Sequence, residues 1–147
     1  MSEHYYDWET HWAKYSVSAS HNPAQQMRHR IVSQFLASHA GADAKVFDIG
    51  SGHGDLVRNL VPLLPSAQLL GAELSETGVV ISRRKVPHAT FLVADLFQPS
   101  AALMEFTSWA TYAVCSEVLE HVDDPVAFLR QARSYLCLLY TSPSPRD

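Results

Sequence analysis

The sequence predicts a three-layer α/β/α domain built on a parallel sheet, and three observations carry that reading. Short apolar runs rich in β-formers recur at residues 46–49, 68–74, 89–94 and 111–116. Stretches with helical apolar spacing separate them, the alternation expected of βαβ units. The first run also passes straight into Gly50, Gly52 and Gly54 and then into a helix pattern, which brings a strand end, a tight turn and a helix start to one point.

Composition narrows the class. A chain of 147 residues can bury the core of one domain. Eleven Lys and Arg against fifteen Asp and Glu give a mildly acidic protein, without the basic excess of a nucleic-acid binder. No run of eighteen or more apolar residues suggests a membrane span, and the N-terminus has no signal-peptide pattern, so a cytoplasmic protein is expected. The two cysteines, Cys115 and Cys137, form no metal or disulfide framework.

Taken in order, residues 1–22 form an aromatic segment. Tyr5, Trp8, Trp12 and Tyr15 fall at helical spacing, so a short amphipathic helix is expected, packed on the core or serving as a substrate lid. Asn22 and Pro23 start the next helix as N-cap and first residue. Met27, Ile31, Phe35 and Leu36 are expected on its packing face. Gly41 and Asp43 turn the chain into strand one. After the glycine loop, Leu56, Val57, Leu60, Val61 and Leu64 give a sheet-packing helix limited by Pro62 and Pro65. Strand two, 68–74, ends at Glu73 and Leu74. Ser75 caps a helix closed by Arg83, Arg84 and Lys85, which suit the C-terminal end of its dipole. Strand three, 89–94, is followed by Asp95 and Leu96, and strand four, 111–116, by Glu117. Asp124 and Pro125 start a last helix, with Val126, Phe128, Leu129, Ala132, Tyr135 and Leu136 as its apolar face.

The glycine spacing bears on the ligand. Glycines let a ligand approach the backbone closely, and a helix start favours polar or anionic groups. A dinucleotide fingerprint, G-x-G-x-x-G, would need glycine at position 55, where Asp55 stands. A carboxylate at the end of strand two, about 20 residues beyond such a loop, can accept hydrogen bonds from ribose hydroxyls. Glu73 is so placed, and plain solvent-facing polarity is its other reading. Ser116 and Glu117 are site candidates because ligands of open α/β sheets sit beyond the carboxyl ends of the strands.

The pattern from Asp48 to Gly54, D-x-G-x-G-x-G, resembles motif I of the class I S-adenosylmethionine (SAM)-dependent methyltransferases. Residues 115–125, C-S-E-V-L-E-H-V-D-D-P, resemble the matching segment of ubiquinone-biosynthesis-type and related small-molecule methyltransferases. The resemblance covers about residues 46–136 and implies a Rossmann-like fold. It implies that Asp48, Gly50, Ser51, Gly52 and Gly54 hold the methionine end of SAM and that Glu73, with Leu74 beside it, holds the ribose. Asp95 and Leu96 would read the adenine; capping of the following turn is the other reading of Asp95, and the two roles do not exclude each other. The cofactor would be SAM, leaving as S-adenosylhomocysteine (SAH). The implied acceptor is a small molecule, with O-methylation favoured and neither nucleic acid nor membrane as partner. Glu117, Glu120 and His121 form E-x-x-E-H, which some relatives use for a divalent cation. A metal is not expected here, and His121 is the candidate base because imidazole titrates near neutrality.

Three segments are therefore expected: an aromatic segment over 1–22, a SAM-binding domain over 23–136, and a tail over 137–147 that reads in frame as a translated sequencing adapter. The family sheet continues beyond this point, so the domain is expected to be incomplete at its C-terminus. Two other function classes stay open: a SAM-fold binding module without catalysis, and a nicotinamide-binding Rossmann domain.

Overall fold

A computed structural model describes residues 7–138. The expectations for Tyr5 and Tyr6, and for the tail over 139–147, lie outside the described residues. The element order is α1 (Trp8–Ser20), α2 (Pro23–His39), β1 (Lys45–Ile49), α3 (Asp55–Leu60), β2 (Gln68–Glu73), α4 (Glu76–Lys85), β3 (Thr90–Val93), α5 (Ala101–Met104), β4 (Tyr112–Cys115) and α6 (Pro125–Arg133). A single 3-10 turn, Leu119–His121, lies between β4 and α6.

The four strands are all parallel, in the order β3-β2-β1-β4. β1 is central, and its three apolar residues, Val46, Phe47 and Ile49, are all buried, as is Asp48. Alternation of side chains along a strand sends these to opposite faces. Val46 joins Leu36, Leu56, Val57, Leu60 and Val79 beneath α2, α3 and α4. Phe47 and Ile49 join Leu103, Phe128, Ala132 and Tyr135 beneath α5 and α6. The result is the three-layer arrangement the sequence predicts, and all four strand ends that follow Ile49, Glu73, Val93 and Cys115 open on one side.

The caps match the local chemistry. The Asn22 side chain accepts from the amides of Ala24 and Gln25, with Pro23 at the first helical position, and Ser75 and Asp124 cap α4 and α6. Two expectations about helix faces are corrected. In α2 the residues facing the core are His29, Ser33 and Leu36, whereas Met27, Ile31 and Phe35 are more than half exposed. The two sets lie on opposite sides of the helix, and the first faces α3, against which α2 packs. In α6, Phe128 and Ala132 are buried, but Val126 and Leu129 face outward. α3 stops at Leu60, two residues before Pro62. The one-turn α5 has no counterpart among the expected elements.

Candidate functional site

The site forms where β1, β2 and β4 end. Gly50, Gly52 and Gly54 all have positive φ, at 76°, 55° and 83°, which folds the loop tightly back on β2. The amides of Gly50 and Ser51 donate to the carbonyl of Ala72, at 2.8 and 3.0 Å, and the amide of Gly54 donates to Ser51. The amide of Gly52 donates to Oε2 of Glu73 at 2.8 Å. These four loop amides are thus all occupied within the protein. An anion such as a pyrophosphate therefore meets no donor at them.

The space above the glycines is also used by the chain itself. A Cβ on Gly50 would lie 2.3 Å from Cγ2 of Val118, and one on Gly52 would lie 2.7 Å from Cζ2 of Trp12. Close approach explains these glycines, as expected, but the groups that approach are protein side chains.

Two buried carboxylates sit beneath this loop. Asp48, on β1, is 3% exposed, and burial together with the charge of Glu73 pushes its carboxyl up to about 7. Glu73 is 6% exposed; burial raises its pKa, while the amides of Ser75 and Gly52 pull it back. Its other oxygen, Oε1, accepts from Ser75 at 3.1 Å. Glu73 is therefore a fixed, inward carboxylate, and the reading of it as solvent-facing polarity is corrected. Leu74, next to it, is exposed.

Around this centre lie buried polar atoms without partners. Among the described residues these include the indole Nε1 of Trp12 and the hydroxyl of Ser51. Both residues are 8% exposed. Such orphans cost free energy in a closed protein unless a ligand or water satisfies them. Two carboxylate acceptors and two unsatisfied donors fit a polar, phosphate-free ligand carrying hydroxyl and ammonium groups.

α1 crosses this end of the sheet like a strap. Glu9 accepts from the amides of Glu76 and Thr77, the latter at 3.1 Å, at the start of α4. Trp12 lies on Gly52 and against the His53 ring, with centroids 4.7 Å apart. At the far end, the Ser20 hydroxyl meets Oδ2 of Asp55 at 2.7 Å and Nε2 of His53 at 2.9 Å. Lys85 donates to Oδ1 of Asp55 at 2.6 Å. Burial alone would raise the Asp55 pKa, but His53, Lys85 and Ser20 hold it well below the usual carboxylate range. Asp55 thus ties the loop, α4 and α1 together. The sequence reading used Asp55 only to exclude a dinucleotide, read Lys85 only as a charge at the end of a helix dipole, and left His53 and Ser20 unassigned. A buried His-Gly-Asp at a helix start was the signal available.

The β4 side contributes less than expected. Glu117 has positive φ, at 59°, and its carboxylate pairs with Arg28 of α2. Ser116 is half-buried beside it. His121 lies edge-on to Trp8, with centroids 5.1 Å apart, at the exposed rim. No three His, Cys, Asp or Glu side chains among the described residues cluster as a cation site, so Glu117, Glu120 and His121 are not brought together. Burial, with the nearby Asp48 and Glu120, pushes the Cys115 thiol up to about 11, which makes it a poor nucleophile at neutral pH. Asp95 accepts from the amide of Phe97 at 2.8 Å, the turn-capping alternative, and Leu96 is buried after β3. No described helix is long and apolar enough to cross a membrane.

No curated protein matches the chain at a significant level. Among solved structures, the plantazolicin methyltransferase BpumL in complex with SAH superimposes with a TM-score of 0.66 at 19% identity, over 88% of this chain and 52% of its own. A Methanococcus maripaludis protein assigned as a SAM-dependent methyltransferase gives a TM-score of 0.73 at 16% identity, over 92% of this chain and 63% of its own. The N-methyltransferase NodS from Bradyrhizobium japonicum, in complex with SAH, gives 0.63 at 20% identity, over 87% and 61%. The chain therefore spans roughly half to three-fifths of the length of the structures it resembles, and at these identities the likeness establishes the Rossmann-like methyltransferase fold. Residues 47–137, which hold the loop, both buried carboxylates and all four strand ends, match the family described as methyltransferase domain, and the chain belongs to that family.

Proposed function

We propose that this chain is the cofactor-binding part of a SAM-dependent methyltransferase acting on a small-molecule acceptor, with oxygen the favoured acceptor atom. The observation that carries the reading is the buried Glu73 carboxylate. It is fixed by Gly52 and Ser75 at the end of β2, beside the buried indole N–H of Trp12. When bound, SAM supplies a sulfonium methyl that is already strongly electrophilic, so the protein's task is placement.

Each group at the site has a part in that placement. Glu73 would accept from the ribose hydroxyls, and its fixed orientation means that little rotamer freedom is lost on binding. Asp48 and the loop over Gly50, Ser51, Gly52 and Gly54 would face the methionine end, where a carboxyl poised near neutrality can ionise against a cationic group. Leu74, Asp95 and Leu96 would border the purine, with Asp95 also holding its own turn. Ser116 and Glu117 would line the crevice from β4. His121, at the exposed rim beside Trp8, would be the base that takes a proton from an acceptor hydroxyl. The aromatic segment over 1–22 would then serve as a lid that helps enclose the substrate, with the domain running from residue 23.

Isothermal calorimetry with SAH tests the cofactor, and a methyl-transfer assay over a panel of phenols, amines and carboxylic acids tests the chemistry. SAH binding that Glu73→Ala weakens by about 1–3 kcal/mol is the expected result. Equal affinity in the variant would remove the ribose assignment. Binding without transfer to any acceptor would favour a binding module, and NADH binding without SAH binding would favour the nicotinamide reading.

A further inference from the structure

We infer that Trp12 is a ligand-binding residue of this site, its indole N–H donating to an oxygen of the ligand held against Glu73. The inference deepens the SAM-site reading above and rests on it.

Trp12 is not placed by helix packing alone. Its six-membered ring fills the space that a side chain at position 52 would need, and its Cδ1 lies 3.3 Å from where a Cβ on Gly78 would stand. Nε1, between these two edges, is therefore wedged between the glycine loop and the start of α4. The same Gly78 position is 3.2 Å from Cγ of Glu73, so the N–H lies beside the carboxylate. It helps to lower the pKa of Glu73 yet reaches hydrogen-bond geometry with no protein atom. Both carboxylate oxygens are already held by the amides of Gly52 and Ser75. An indole N–H that is buried beside an acceptor and left unpaired is an expensive arrangement. A hydroxyl-bearing ligand resolves it: the hydroxyl donates to Glu73 and accepts from Trp12, so each group completes the other. Because α1 carries Trp12 and is latched at Glu9 and at Ser20, the position of this donor is set by the strap as a whole.

The test is SAH affinity in the full 147-residue chain. Three proteins are compared by calorimetry: the parent, Trp12→Phe, and a protein whose residue 12 is benzothienylalanine. The last keeps the shape of the indole and replaces its N–H with sulfur, so the packing on Gly52 is preserved. The expected result is SAH binding about fivefold weaker in both variants, the worth of one neutral hydrogen bond. The melting temperature of the sulfur isostere should match that of the parent. Isosteric protein that binds SAH as tightly as the parent would overturn the role of the N–H. Tighter binding in Trp12→Phe and in the isostere would also overturn it, because Trp12 would then be a plug that the ligand must displace. If the parent itself fails to bind SAH, the reading of the site falls and this inference with it, an outcome distinct from loss of the Trp12 assignment alone.

Discussion

Gly52 concentrates more constraints than any other residue of the site. Its φ of 55° is one that side chains resist, its amide is the donor that fixes Glu73, and the Trp12 ring occupies its Cβ position. Gly52→Ala should therefore do three things at once: strain the turn, push Trp12 outward and loosen Glu73. A stability loss of about 1–3 kcal/mol is expected by urea denaturation, with SAH binding reduced further than the loss of fold accounts for. An alanine variant as stable as the parent would show that the turn relaxes freely and that Trp12 is not held by it. Glycine spacing and the carboxylate about 20 residues further on were readable because both are local requirements of a strand–turn–helix unit. Trp12 was readable as part of a helical aromatic face, but not as the residue against Gly52. That contact spans some forty residues of sequence, and no local pattern encodes it.

Helices were easier to place than to orient. Caps such as Asn22, Ser75 and Asp124 announce a start through their own hydrogen bonds, and α2, α4 and α6 begin where those residues stand. Which side of α2 faces the sheet was not legible, because the helix carries two competing stripes. Met27, Ile31 and Phe35 are the more apolar, yet the smaller His29 and Ser33, with Leu36, pack on the core. That side packs against α3, a contact distant in pattern from either stripe. α1 depends on tertiary contacts more than any other helix, since its only buried residue is Trp12 and its ends are tied by Glu9 and Ser20. The Asp55 cluster is the stronger tie. Asp55→Asn should leave Lys85 and His53 without their charge partner and destabilise the fold by about 2–4 kcal/mol. Because the Asp55 pKa is depressed in the fold, its contribution is fully present above the ordinary carboxylate range and shrinks as pH falls below that range toward the depressed value. Chemical denaturation at pH 7 and pH 3 checks both points. The gap between parent and variant should narrow at the lower pH, and a gap unchanged across the two would show that charge is not what Asp55 contributes.

The molecule as a whole is a parallel sheet with two open edges, and they are not equally protected. On β3, the Arg83 guanidinium donates twice to the carbonyl of Phe91, at 2.7 and 3.2 Å. Outside β4 no strand follows among the described residues, and only the short pairing of Ala110 with Leu136 lies near its start. An uncovered edge templates further pairing, so light scattering of the 147-residue chain should show association that grows with concentration. A sharp monomer at tens of micromolar would contradict this. Stability against pH is the more direct readout of the site, because it turns on the buried acid at the centre of the sheet. The Asp48 carboxyl is raised to about 7 by burial and by Glu73, so the folded state keeps a proton that the unfolded chain releases near the ordinary carboxylate pKa. Between those two values the folded state binds more protons, and stability must fall as pH rises through the window. Glu73, also raised, acts in the same direction. His29 and His11, both lowered by burial, act in the opposite direction as they lose protons below neutrality. Asp48→Asn isolates the one contribution. In urea titrations from pH 5 to pH 8 the parent should lose about 1–3 kcal/mol relative to the variant. Parallel curves for the two proteins would mean that Asp48 ionises as it does in the unfolded chain, and the pairing of two buried carboxylates beneath the glycine loop would have to be given up.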